Sequence, residues 1–299
     1  MHYKSTALSD KVFRVCNVVI LTTLMLMALY PCLYVVFASF SNPVELYVSQ
    51  SKLLWGPKGF STMAYEITLQ NARLWTAYGN TFLYVISGTV LSVFFSVMGG
   101  YVLSRRYLPG RVTLTFIITF TMFFSGGLIP TFLIVRTLKL YNTFGAMIIP
   151  SMINTMNVIY IMSYCRSIPD EMEESAKVDG ANDWDVFWRI MVPLSVPIIA
   201  VITLYYAVGI WNSYIAPTIY LMDRKLFPLQ VLLREILISE DELSMNITTT
   251  SDSAFQNIPA YKETIKFTTI IISMVPVLIL YPFIQRFFIR GVMLGAIKG

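Results

Sequence analysis

The chain has 299 residues, of which 56% are hydrophobic and only 13% are charged, and its formal net charge is +5. Soluble domains carry about 25% charged residues, so this composition excludes an ordinary soluble domain and indicates an all-α integral membrane protein with several spans. The basic residues are scattered near the ends of the apolar runs, as in membrane proteins, so the positive charge does not indicate a nucleic-acid partner.

Six stretches are long enough to cross a bilayer, which takes about 20 residues. They are residues 15–40, 78–103, 114–135, 144–164, 194–220 and 267–287. The first run is too long for the core of a signal peptide and is therefore predicted to be a retained span. Lys and Arg are denser in the shorter connecting segments, which places both termini and residues 167–193 in the cytoplasm. This predicts a cytoplasmic N-terminus (1–14), a six-span domain (15–289) and a cytoplasmic tail (290–299).

The two longest outer segments are residues 41–77 and 221–266. They contain turn-forming, charged and aromatic residues, so they are predicted either to form short helices that meet an external partner or merely to link spans. In the third span, the sequence SGG at residues 125–127 and the nearby Pro130 predict a kink or a close helix contact.

Ionisable residues are absent from the cores of the predicted spans. No acidic or basic residue falls in the core of the six spans, and the only histidine is His2. Ion-coupled carriers place such residues near the bilayer midplane, so a self-sufficient proton-driven carrier is disfavoured. The sequence offers no catalytic residues, no metal-ligand cluster and no phosphate-cradling glycine loop. The chain is therefore predicted not to be an enzyme and to hold no cofactor, and energy for uphill transport must come from another chain.

The largest cytoplasmic segment, residues 167–193, is here called the insert, and its pattern predicts a helix–turn–helix. Ser167 can cap the first helix, and the acidic residues after Pro169 suit its positive end. Gly180 is predicted to end this helix in the left-handed conformation, and Asn182 or Asp183 to cap the second. The second helix is predicted to present one apolar stripe of Trp184, Phe187, Trp188 and Met191.

The apolar stripe and acidic tip leave two interpretations of the insert. It is either an interfacial helix on the lipid headgroups or a protrusion that enters a groove on another protein. An anionic cytoplasmic leaflet would repel the clustered acidic residues, which favours the second interpretation.

The spacing within the insert resembles the EAA loop of permease subunits of bacterial ABC importers, whose pattern is E-A-A-x3-G-x9-I-x-L-P. It is matched by Glu174, Ser175, Ala176, Gly180, Ile190 and Pro193, with Ser175 and Val192 as mild departures. Residues 55–61, 206–213 and 290–299 are similar to the carbohydrate-importer branch. The resemblance is closest to permeases for complex oligosaccharides of the aldouronate, alginate-oligosaccharide and multiple-sugar kind.

This resemblance implies a MetI-like, maltose-type core of five spans, an extra N-terminal span and a cytoplasmic coupling helix. It implies a multi-pass protein of the bacterial cytoplasmic (inner) membrane that imports oligosaccharides. The implied partners are a second permease, two ATPase subunits that bind ATP and Mg²⁺, and an extracytoplasmic sugar-binding protein. The implied ATPase contacts are Glu174, Ser175, Ala176, Asp179, Gly180, Ala181, Ile190 and Pro193, with tail contacts at Arg290, Gly295 and Lys298.

Sugar sites combine aromatic rings with amides and hydroxyls. The fourth and fifth spans therefore suggest a substrate pathway of Asn154, Asn157, Tyr206, Trp211, Asn212 and Tyr214. Helix packing or an interfacial aromatic belt would explain the same aromatic residues. Two functional alternatives stay open: the same architecture importing another solute, such as a peptide or phosphate, or a passive channel or membrane scaffold. The glycine-rich tail is predicted not to form a stable helix.

Overall fold

The structure is a computed structural model that describes residues 8–49, 55–238 and 258–296, with side chains described for 11–49, 55–238 and 259–279. It divides into two compact units. The first unit is Met1–Asn71 with Glu235–Met274, and the second is Ala72–Arg234 with Val275–Gly299.

The described residues are predominantly helical, as predicted. The helices are α1 (Leu8–Ser39), α2 (Pro43–Ser49), α3 (Met63–Leu69), α4 (Ala72–Ser104), α5 (Arg111–Phe123), α6 (Leu128–Thr137), α7 (Gly145–Ile148), α8 (Thr155–Arg166), α9 (Glu171–Val178), α10 (Asp183–Asp185), α11 (Val192–Leu194), α12 (Val196–Trp211), α13 (Ile215–Tyr220), α14 (Leu229–Ile238) and α15 (Ile258–Ala296). A π-helical turn, Val186–Met191, joins α10 to α11, and 3-10 turns cover Ile149–Ser151 and Arg224–Leu226.

Two helices among the described residues are long and apolar enough to cross a membrane: Lys11–Ser39 of α1 and the whole of α4. Three further spans are possible if each of three bent helix pairs counts as one. The pair α5 and α6 bends by 114° at residues 124–127, which confirms the predicted kink in the third span. The sixth predicted span lies within α15, whose side chains from residue 280 are outside the described set.

The first unit contains the short helices α2 and α3, so the segment 41–77 does form short helices. Ser41 and Phe60 form an isolated antiparallel bridge. The ring of Phe40 stacks on Phe60 and Tyr65, with centroid distances of 5.8 Å and 4.8 Å. Phe40, Phe60 and Tyr65 therefore form an aromatic cluster at the end of α1, and contact of the segment with an external partner stays a prediction.

In the second unit α4 is the central helix, because it packs along both α8 and α12. Gly100 makes the approach to α8 possible, since a Cβ there would lie 2.6 Å from Ile161 Cγ2 and 3.0 Å from the Met162 backbone nitrogen. Small residues permit this kind of close backbone packing between membrane helices. A polar link joins α4 to α12, where the hydroxyls of Ser96 and Tyr206 lie 2.7 Å apart.

Three expectations about helix ends are corrected. Ser167 does not cap the first helix of the insert, because its hydroxyl donates to the Tyr164 carbonyl and closes α8 instead. The fifth span is not continuous to residue 220, since α12 ends at Trp211 and α13 begins at Ile215. The tail is helical as far as Ala296, so Arg290 and Gly295 lie in α15, while Lys298 is outside the described residues. Extending an existing helix needs no new nucleation, which offsets the unfavourable propensity of the tail glycines.

Candidate functional site

The first helix of the insert ends as predicted at Gly180, whose φ is +87°. The Ala181 amide donates to the Ala176 carbonyl at 2.9 Å, and the Gly180 amide to the Lys177 carbonyl at 3.1 Å. These two bonds form a Schellman motif, which requires a left-handed residue at Gly180. The second helix is then capped by Asn182, whose side chain accepts from the Asp185 amide at 2.9 Å. The helix–turn–helix prediction is confirmed.

The inner face of the insert is anchored in the bundle core. Phe187 and Met191 are buried in a cluster with Tyr101 of α4, Ile161 of α8 and Ile202 of α12. Among the residues predicted to contact an ATPase, Ala176 and Ala181 also pack against this cluster. Trp184 and Trp188 remain 59% and 49% exposed, so the predicted single apolar stripe is divided. Phe187 and Met191 are four residues apart, as are Trp184 and Trp188, so the buried and the exposed pairs lie along separate edges of the stripe.

The outer face of the insert is exposed and both apolar and acidic. Val178 is 87% exposed and Met172 is 47% exposed. Four of the predicted ATPase contacts are exposed with them: Glu174, Ser175, Asp179 and Gly180. Ile190 lies in the π-helical turn and is half-buried, and Pro193 lies in α11 and is exposed. The outer face of the insert therefore presents both apolar and acidic side chains, and contact of this face with another protein stays a prediction.

A charged network joins the insert to the end of α4. Glu173 is 6% exposed and forms an ion pair with the guanidinium of Arg105, which is also 6% exposed. The other carboxylate oxygen of Glu173 accepts from Lys177 Nζ at 2.8 Å and from the Tyr107 hydroxyl at 3.1 Å. Lys177 also pairs with Asp183 Oδ1 at 3.2 Å. These five residues are called the Arg105–Glu173 network.

The pKa values of Glu173 and Lys177 are both shifted toward the charged form. Burial alone would raise the pKa of Glu173, but hydrogen bonds from Lys177 and Arg105 hold that pKa below its ordinary value. The hydrogen bond to Glu173 raises the pKa of Lys177 above its ordinary value. A buried carboxylate with three donors satisfies the rule that buried charges are paired and hydrogen-bonded.

The second unit also contains a cavity of about 570 Å³. It is bounded by α6, α7, α8, α12 and α13, and no charged side chain lines it within the part of the chain that the structure describes. Its polar lining consists of Thr131, Ser151, Asn154, Asn157, Tyr160, Tyr205, Tyr206, Ser213 and Tyr220. This set of hydroxyls, amides and aromatic rings is the chemistry by which proteins bind sugars.

Asn157 is the buried one of the two asparagines in this lining. It is only 5% exposed, and no protein hydrogen bond to its side-chain amide occurs among the described residues. Its side-chain amide atoms are not among the fully buried polar atoms without a partner, and Asn157 lines the cavity. This amide therefore has unused capacity for a hydrogen-bonding ligand or water in the cavity. Asn154 differs, because its side chain caps α8 by accepting from the amides of Met156 and Asn157 at 3.0 Å and 3.3 Å.

Four predicted pathway residues are placed as follows. Tyr206 lines the cavity, but its hydroxyl is also hydrogen-bonded to the Ser96 hydroxyl and accepts from the backbone N–H of Asn154 at 2.9 Å. Trp211 is buried against Phe82, with ring centroids 5.6 Å apart, and does not line the cavity. Asn212 is exposed, and Tyr214 lies under the guanidinium of Arg234 at 5.0 Å. Contact of these last three residues with substrate stays a prediction.

Tyr160 lines the cavity but was not among the predicted pathway residues. Its ring centroid lies 6.4 Å from that of Tyr205, so α8 and α12 present a pair of tyrosines to the same space. Tyr160 follows Asn154 and Asn157 at successive three-residue spacings, which places the three on one helix face. That spacing was the available sequence signal.

Comparison with known proteins identifies the class. Residues 92–294 match the family model described as a binding-protein-dependent transport system inner membrane component, and the chain belongs to this family. It is 36% identical to Protein LplC of Bacillus subtilis, over 100% of this chain and 99% of that protein. It is 39% identical to the polygalacturonan/rhamnogalacturonan transport system permease protein YtcP of the same organism, over 92% of this chain and 94% of that protein.

A solved structure gives the same result. A chain of a bacterial ABC transporter involved in the import of the acidic polysaccharide alginate matches with a TM-score of 0.86 and 35% identity, over 95% of this chain and 99% of that chain. The fold is therefore MetI-like, and the prediction of a membrane permease subunit of an ABC importer, with its ATPase on a separate subunit, is confirmed.

Proposed function

We propose that this chain forms half of the translocation pathway of an oligosaccharide importer and is driven by ATPase subunits that dock on the insert. The observation that carries the proposal is the 570 Å³ cavity, whose described lining is uncharged and rich in hydroxyls and amides, and which lies at the ends of α8 and α12 opposite to those that the insert joins. Family membership supports it, since the family consists of binding-protein-dependent transport components. The proposed complex contains a second permease, two ATPase subunits and an external sugar-binding protein.

The substrate class proposed is an oligosaccharide that carries uronic acids. Two relatives are named for acidic polymers, one for polygalacturonan and rhamnogalacturonan and the other for alginate. The cavity lining supports recognition of sugar hydroxyls and ring faces, and the names of these two relatives favour a sugar over a phosphate or a peptide. A phosphate or peptide importer of the same architecture is thereby disfavoured, and a passive channel leaves the insert without a role.

Import by the reconstituted complex tests this proposal. The chain, expressed with its partner subunits, is placed in liposomes with ATP inside and the binding protein outside. We expect oligogalacturonate or oligoalginate to stimulate ATP hydrolysis and accumulate, and inorganic phosphate and dipeptides to do neither. Uptake without ATP would indicate a channel, and stimulation by phosphate or dipeptide alone would overturn the sugar assignment.

The proposed orientation has six spans with both termini and the insert in the cytoplasm. We expect Val178→Cys, which is exposed on the insert, to resist an impermeant maleimide in intact cells. Met222→Cys, 71% exposed after α13, is expected to react. Cys16 and Cys32 are first replaced by alanine, while buried Cys165 is kept. The reverse labelling pattern would place the insert outside and exclude it as an ATPase contact.

A further inference from the structure

We infer that Arg105 and Glu173 are positioning residues that couple movement of the insert to α4. This inference rests on the proposed docking of ATPase subunits on the insert. The insert is continuous in sequence with α8 and α12, so these helices follow its movement directly. The central helix α4 ends 67 residues before α9 begins and has no such connection. It can follow the insert only through side-chain contacts.

Arg105 is held by the bundle independently of the insert. Its Nε donates to Ser104 Oγ at 3.0 Å, and its second terminal nitrogen donates to the Cys165 carbonyl at 3.2 Å. Its guanidinium also lies 5.0 Å from the centre of the Tyr101 ring. The guanidinium is therefore fixed where α4 and α8 end, with its remaining terminal nitrogen directed at Glu173.

Glu173 is held by the insert in the same way. Lys177, one turn further along α9, donates to it, and Lys177 also reaches Asp183 at the start of α10. The carboxylate thus connects both helices of the insert to one atom of Arg105. Movement of either helix changes the position of Glu173 relative to the end of α4.

The ion pair supplies a directional contact between α9 and α4, which apolar packing does not. Tyr101 of α4 already packs against Phe187 of the insert, with ring centroids 5.3 Å apart. Apolar contact is non-directional, so it allows one surface to slide or rotate over another. A buried, charge-assisted hydrogen bond is directional and strong, so it fixes the register between α9 and α4. We therefore assign to this pair the transfer of insert movement to the helix that packs against α8 and α12.

The test separates positioning from stability with the double variant Arg105→Met with Glu173→Gln. Removing one partner alone would leave a buried charge unpaired and endanger folding, whereas removing both charges is often neutral for stability. The glutamine side chain introduced by Glu173→Gln would retain an acceptor for Lys177 and Tyr107. We expect unchanged thermal stability and unchanged co-purification of the ATPase subunits. We also expect about fivefold more ATP hydrolysed per oligogalacturonate imported, the lower end of typical coupling between sites.

A matched control neutralises a less buried ion pair on the same insert, Asp185→Asn with Arg189→Gln. The paired atoms of Asp185 and Arg189 lie 3.3 Å apart, and their side chains are 33% and 81% exposed. This control is expected to leave the ratio of ATP to sugar unchanged. A double Arg105/Glu173 variant that is stable, binds ATPase and keeps the wild-type ratio would overturn this inference alone. Absence of ATPase from the wild-type complex would instead overturn the proposed docking function, so the two failures are distinguishable.

Discussion

Replacing Gly180 by valine is expected to weaken binding of the ATPase subunits about tenfold and to lower import with it. Left-handed backbone costs an L-residue about 1–2 kcal/mol, and a branched Cβ adds to this cost. A difference of about 1.4 kcal/mol is a tenfold change in affinity. A Cβ at Gly180 would have no heavy atom within 4 Å, so the effect comes from the backbone and not from a clash inside the chain.

The matched control for this change is Gly180→Asn, because asparagine tolerates the left-handed region best among residues with a side chain. It is expected to retain most ATPase binding, measured by co-purification and by hydrolysis in liposomes with binding protein and sugar. Equal loss in both variants would indicate that the docking surface rejects any side chain at position 180. Equal retention would show that the Schellman turn is not needed for docking.

The structure also shows why a large residue at Ala176 is a poor test of docking. Ala176 packs against the core cluster that contains Phe187 and Met191. A tryptophan there would separate α9 from its own bundle before it met any partner. Glu174→Lys is the cleaner change, since Glu174 is exposed and reversing its charge alters only the outer face.

The helix ends of the insert could be predicted because they are set by residues close to them in sequence. The left-handed Gly180 and the Asn182 cap depend on residues within one or two turns, and both are found in the structure. The Arg105–Glu173 pair was not predicted, because 68 residues separate its members and only the packing of α4 beside the insert brings them together. Sequence patterns specify helix ends well and carry little information on pairs so distant along the chain.

The cavity was predictable only in part for the same reason. Asn157 and Asn154 were identified from residue type, but type alone does not distinguish an amide that caps a helix from one that faces a cavity. Trp211 and Asn212 were identified in the same way, yet α12 ends at Trp211 and the chain changes direction after it. Because the predicted fifth span ran to residue 220, this break and the orientation of the side chains near it were missed.

Asn157→Leu is expected to lower uronate import about tenfold at limiting sugar while leaving the protein folded. Its side-chain amide has no protein partner among the described residues, so leucine of similar size leaves no protein group unpaired. A substrate hydroxyl that loses its partner in a buried site forfeits about 1–3 kcal/mol. Uptake is measured at several sugar concentrations, alongside thermal stability and ATPase co-purification.

The matched control for the cavity is Asn212→Ala, because Asn212 is the same residue type, is exposed and does not line the cavity. If the sugar passes through the cavity, import stays near the wild-type level, and if Asn212 lines the pathway as its residue type predicts, import falls. Loss of import in Asn212→Ala together with normal import in Asn157→Leu would move the pathway to the end of α12, where sequence composition alone had placed part of it. Loss in Asn157→Leu alone, with stability and ATPase binding preserved, would establish that sugar passes the face of α8 that carries Asn157 and Tyr160.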